Sequence, residues 1–162
     1  MVESSGSPPE QEHETSDAKE DRQLIELLNE LRVALPGVQM LFGFMLAVPF
    51  TQRFGSLTDR QRGVFYIAFL ATAAASVCFI TPASFHRIIW RRGVKRNMLR
   101  IASGLTILGT VFLGVAIACV VGFLSSFLYG SAVASLASAM VLGSITILWY
   151  AIPLVLRHRA HS

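Results

Sequence analysis

Four long apolar runs, at about residues 33–51, 63–83, 101–124 and 132–156, take up most of this chain of 162 residues. A hydrocarbon core about 30 Å thick is crossed by about 20 helical residues. The first run is the shortest; its strictly apolar part stops at Phe50, and Leu31 or Thr51 extends it. A segment inside lipid must satisfy its backbone hydrogen bonds internally, and none of these runs alternates with the period of two that a barrel strand needs. The chain is therefore expected to be all-α: an integral membrane four-helix bundle with an N-terminal cytoplasmic amphipathic helix.

Charge is placed to match. Only 15% of residues are charged, against about 25% in soluble domains. Residues 1–32 hold nine of the ten acids and three basic residues, near −6; residues 33–162 hold Asp59 and eleven basic residues, near +10. Short basic clusters between apolar runs are membrane flanks, not a nucleic-acid-binding face. The first thirty residues lack the positive start and apolar core of a secretory signal.

Along the chain, residues 1–16 are rich in Ser, Pro and Glu and are expected to form a disordered acidic tail. Residues 17–35 read as an amphipathic interfacial helix, with Leu24, Leu27, Leu28, Leu31 and Leu35 at intervals of three or four. Its acidic face suits the basic stretch between Arg87 and Arg100. Pro36-Gly37 is expected to separate or kink this helix from the first span. The four-span domain covers 33–156, and 157–162 is a basic tail. The loop 84–100 carries six basic residues and no acid, so the positive-inside rule makes it cytoplasmic, with both termini. Eleven basic residues then lie inside and three outside. The three outside, Arg53, Arg60 and Arg62, are the dissenting feature.

Each span carries small residues at every fourth position: Gln39, Gly43, Ala47 and Thr51; Ala68, Thr72 and Ser76; Ala102 through Ser126; Ser131, Ser135, Ala139 and Gly143. Small residues let helix backbones approach in lipid, where hydrophobic drive between helices is weak. These stripes are expected to pack the bundle. Gly114, Ala118 and Gly122 in the longest stripe could alternatively form a homo-oligomer face.

Few residues of the chain carry a chemical signature. The chain has no phosphate loop, dinucleotide fingerprint, HExxH or nucleophile elbow. No catalytic residue, cofactor or metal ligand set is indicated, and enzyme activity is not expected. Cys78 and Cys119 lie inside apolar runs and read as buried thiols. Ion-coupled carriers place ionisable groups inside the membrane, and no Asp, Glu, Lys, Arg or His lies in the middle of a span here. The binding candidates are Gln39, the most polar side chain within the runs; Glu30, the acid nearest the first span; and His86 with Arg87, where the second span ends. Gln39 is expected to hydrogen-bond between helices.

The stretches "ELRVALPGVQMLFGFMLAVPFTQRF", "RG" at Arg62-Gly63 and "PASFHRIIWRRG" resemble an uncharacterised family of small four-span actinobacterial membrane proteins. Some of its members are labelled sodium:proton antiporters. The resemblance runs from about Leu24 to Arg157 and implies a multi-pass protein of the bacterial inner membrane, in contact with the lipid bilayer. It brings no established functional residues, and the antiporter label conflicts with the missing intramembrane carboxylate. The reading is a non-enzymatic membrane component acting through protein or lipid contacts, with a small cation/proton transporter or channel as the alternative.

Overall fold

A computed structural model describes residues 9–89, 95–152, 154 and 155, with side-chain surroundings for 22–84 and 100–155 except Leu24 and Pro153. The order is α1 (Pro9–Ala47), two 3-10 turns (Val48–Phe50 and Gln52–Ser56), α2 (Asp59–Ile89), α3 (Lys95–Tyr129) and α4 (Ser131–Ile145), followed by a π-helical turn (Thr146–Ala151). The fold is all-α. Four helical segments are long and apolar enough to cross a membrane: Ile25–Phe50, Asp59–Ser84, Arg100–Tyr129 and Ser131–Ala151.

Two expectations about the N-terminal part are corrected. Helix begins at Pro9, inside the segment expected to be disordered; proline suits a first helical turn because its missing N–H needs no partner there. Nor does the chain break at Pro36. The interfacial helix and first span form one helix of 39 residues, about 58 Å long and roughly twice the hydrocarbon thickness. Leu31, Val38 and Met45 are all buried. Their seven-residue spacing keeps one packing face on both sides of Pro36, which itself is exposed. That shared face holds the helix across a residue that removes one backbone hydrogen bond.

α3 is the central helix. It touches α1, α2 and α4, whereas α4 touches no other long helix among the described residues. Only 6% of the α4 span is buried within the chain, against 39% of the α2 span. α4 follows α3 with one residue between them, Gly130, whose φ of +92° is a conformation that side chains with a Cβ disfavour.

The core has two parts. Leu31, Val38, Ala75 and Phe79 form one, flanked by Phe112 and Leu113. Met45, Phe65 and Ala68 form the other, flanked by Phe54, Phe69, Cys119 and Phe123. Both cysteines are free; Cys78 is buried, as expected, and Cys119 is half-buried.

The small-residue stripes divide into two groups. On α2, Ala68 and Thr72 are fully buried. On α3, Ala102, Gly114, Ala118 and Gly122 are buried. A Cβ on Gly114 would stand 3.1 Å from Ile145, and one on Gly122 would meet the Ser138 hydroxyl. The Gly114–Ala118–Gly122 face is therefore occupied by α4 of the same chain. On α1, by contrast, Gln39, Gly43, Ala47 and Thr51 are exposed, as are Ser131, Ser135 and Ala139 on α4. Those two stripes do not pack the fold. α1 packs through large residues instead, and α4 through Ala134 and Ser138.

Most hydroxyls in the spans bond to their own helix: Thr72 to the Ala68 carbonyl at 2.7 Å, Ser76 to Thr72 at 2.9 Å and Thr106 to Ala102 at 3.0 Å. This satisfies the donor locally and leaves association to close packing. Two bonds do join α3 to the last span. Ser138 donates to the Ala118 carbonyl at 3.1 Å. The hydroxyls of Thr110 and Tyr150 lie 2.9 Å apart; Thr110 gives its proton to the Ile107 carbonyl at 2.7 Å, so Tyr150 is the donor. Tyr150 sits in the π-helical turn that replaces the α-helix expected to continue to residue 156. Pro153, just beyond in sequence, has no N–H to donate and disfavours α-helical bonding there, and π-helix occurs mostly as single turns of this kind.

Candidate functional site

The sequence builds a distinct structure where α1 gives way to α2. Pro49 and the short segment after it cannot continue the helix, and the chain turns through two 3-10 turns pinned by side chains. Thr51 donates to the Val48 carbonyl and Ser56 to that of Arg53, each at 2.8 Å. α2 then starts with a reciprocal cap. The Thr58 N–H donates to Gln61 Oε1 at 3.0 Å, and the Gln61 N–H donates to Thr58 Oγ1 at 3.3 Å. This arrangement satisfies two helix-end donors that otherwise lack partners. It also fixes Arg62, whose Nη2 donates to the Gly55 carbonyl at 3.1 Å.

Aromatic rings fill the space beneath this turn. Phe54 stands edge-on to Phe65 at 5.5 Å, Phe65 lies 5.8 Å from Phe123, and Phe42 stacks on Phe69 at 5.2 Å. Two cavities flank Phe54. The larger, about 470 Å³, lies between the end of α1 (Met45, Leu46, Pro49, Phe50) and the start of α2 (Phe65, Tyr66, Phe69), with Arg62 its one charged lining residue. The smaller, about 280 Å³, runs from Val48 to Phe123 and Phe127 on α3, with Arg53 its one charged lining residue. The Arg53 guanidinium stands 5.6 Å from the centre of the Phe127 ring, within cation–π range. Phe50, 90% exposed, and Tyr66, 59% exposed, leave the larger cavity open to its surroundings. No carboxylate is within ion-pair distance of Arg53, Arg60 or Arg62 among the described residues.

The residues singled out from sequence do not converge. Gln39 is exposed on α1, and no hydrogen bond joins its side chain to a described residue, so the expected interhelical bond is absent. Glu30 lines a third cavity of about 270 Å³ with Gln23, Glu26, Leu27 and Ser103 of α3. Glu26 also pairs with Arg22 at 3.5 Å. Nine residues at 100° each put Glu30 and Gln39 on opposite sides of α1, about 13 Å apart along the axis. His86 and Arg87 lie in the last turns of α2, and their side chains fall outside the described residues, as do the side chains of Arg91, Arg92 and Arg96. The side chains of residues 87–99, on which the contact expected for the acidic face falls, lie outside the described residues. No group of three or more His, Cys, Asp or Glu among the described residues could hold a metal ion.

Sequence reasoning did not single out Arg62, Phe54 and Phe65 as a site. The available signal was the dissenting charge of the 51–62 loop, three arginines against one aspartate where the charge rule expects few.

Four helices long and apolar enough to span a bilayer define a class: a multi-pass membrane protein. Within that class the chain belongs to a family of unknown function, DUF6328, whose model matches residues 13–153. No curated protein and no solved structure matches the chain.

Proposed function

We propose that this protein is a non-enzymatic component of a bacterial inner membrane, with both termini cytoplasmic, acting through lipid or protein contacts at its helix surfaces. The observation that carries this reading is the placement of polar groups. Charged residues within the four spans stand only near span ends. The hydroxyls farther in are mostly bonded to their own helix, and the larger cavities are apolar and lateral. Coupled ion movement requires titrating or coordinating groups at depth. The basic loop 84–100 and the basic tail support the orientation.

A second reading, a small cation/proton transporter or channel, has one observation in its favour: Glu26 and Glu30 line a shared polar cavity. Its neighbours toward the membrane, Leu31 and Val38, are buried apolar residues that continue no polar path. Purified protein in liposomes holding a pH-sensitive dye separates the readings. The first predicts no sodium-dependent proton movement; the second predicts movement that Glu30→Gln abolishes.

A further inference from the structure

We propose that the cavity between the end of α1 and the start of α2 binds one anionic phospholipid, its phosphate on Arg62 and an acyl chain among Leu46, Phe50, Phe65 and Phe69. The inference rests on the reading of the chain as a membrane protein that works by surface contacts, and it names the ligand class. The shape fits such a ligand. At about 470 Å³, the cavity falls in the range of small-molecule sites, about 300–1,000 Å³. Its walls are almost wholly apolar, with the Arg62 side chain at its edge, and Phe50 and Tyr66 on its rim are exposed.

Polarity runs along the cavity as it does along a lipid. Arg62 is one turn into α2, at the level of the membrane interface; Phe65 and Phe69 follow about 4.5 and 10.5 Å deeper along the helix axis. A charged head on Arg62 with an apolar tail toward Phe69 matches that order. Tyr66, one turn below Arg62, has the position of an interfacial aromatic.

Charge selects the headgroup. A guanidinium has five N–H donors in a planar fork suited to phosphate. The Gly55 carbonyl takes one donor of Arg62, and no described carboxylate pairs with it. A choline headgroup would bring its own cation toward Arg62, the one charged residue of the lining, whereas an anionic headgroup with a neutral polar end brings none. The cap that locks Thr58 to Gln61 orients the backbone that carries Arg62, so the site is built before the lipid arrives.

The test uses full-length protein in nanodiscs of equal parts phosphatidylcholine and phosphatidylglycerol, released and weighed by native mass spectrometry. One phosphatidylglycerol should stay bound in preference to phosphatidylcholine. Arg62→Gln should reduce its retention about tenfold or more, as loss of a charge-assisted hydrogen bond implies. Arg62→Lys should retain part of it, and Arg60→Gln, outside the cavity lining, should leave it intact. Leu46→Trp fills the cavity with the charge untouched and should also release the lipid, which decides the matter if Arg62→Gln fails to fold. Excess inorganic phosphate should not displace the lipid; displacement would assign the site to free phosphate. Five results overturn the proposal: displacement by inorganic phosphate, equal retention of both lipids, equal losses in Arg60→Gln and Arg62→Gln, full retention in Leu46→Trp, or a lipid-free dimer. Loss of preference in protein that moves no ions defeats this inference alone, whereas sodium-driven proton movement defeats the reading beneath it.

Discussion

Ser138 on α4 donates to the Ala118 carbonyl on α3 at 3.1 Å, and its hydroxyl occupies the space that a side chain at Gly122 would need. One small residue thus makes room for one polar anchor between α3 and α4, and among the described residues α4 touches no other long helix. Gly122→Ala should destabilise the fold by about 1–3 kcal/mol through overpacking. Ser138→Ala should cost about 0.6 kcal/mol, the average for such bonds in membranes. In the Ser138→Ala background the glycine substitution should cost less, because the obstructing oxygen is gone. Unfolding in mixed micelles of the two single variants and the double variant reads the coupling directly.

Gly109 plays the same part between α2 and α3. A Cβ there would stand 2.5 Å from a ring carbon of Phe79 and 3.1 Å from Cys78 Cβ, and Phe79 is 1% exposed in the core. Gly109→Ala should therefore cost about 1–3 kcal/mol, while Gly43→Ala, whose Cβ would meet nothing within 4 Å, should stay within about 0.5 kcal/mol of the parent. Thermal unfolding in detergent distinguishes the two.

The hydrogen bond from Tyr150 to Thr110 ties the π-helical turn to α3. Tyr150→Phe and Thr110→Val should each cost about 0.5–1.5 kcal/mol, and the double variant should cost clearly less than their sum. Additive losses would mean that the two hydroxyls do not meet.

Gln39→Leu should leave the stability of the monomer within about 0.5 kcal/mol, since the amide is exposed and the buried residues of α1, Leu31, Val38 and Met45, are untouched. A loss above about 1 kcal/mol in micelle unfolding would instead mean that the amide has a partner.

What was legible in the sequence follows from what lipid demands. Twenty-residue apolar runs admit helices and little else, so the four spans were readable. The stripes on α2 and α3 were readable because those helices are central and small residues let them approach. On α1 and α4 the same pattern pointed the wrong way. A lipid-facing surface and a packing surface are both apolar, and spacing alone does not say that Leu31, Val38 and Met45 face inward while Gly43 and Ala47 face out. Pro36 suggested a break because its local cost is visible in sequence, whereas the continuous packing face that overrides it is tertiary. The cavity at Arg62 was hidden for a related reason. Leu46, Phe54 and Phe65 come from three separate segments, and only the unexpected arginines marked the place.

The most direct test of the central claim is proton flux in liposomes containing the purified protein, with a sodium gradient imposed and an internal dye reading pH. Traces should match those of protein-free liposomes under gradients in either direction, for the parent and for Glu30→Gln alike. A sodium-dependent change in internal pH that disappears in Glu30→Gln would contradict the claim.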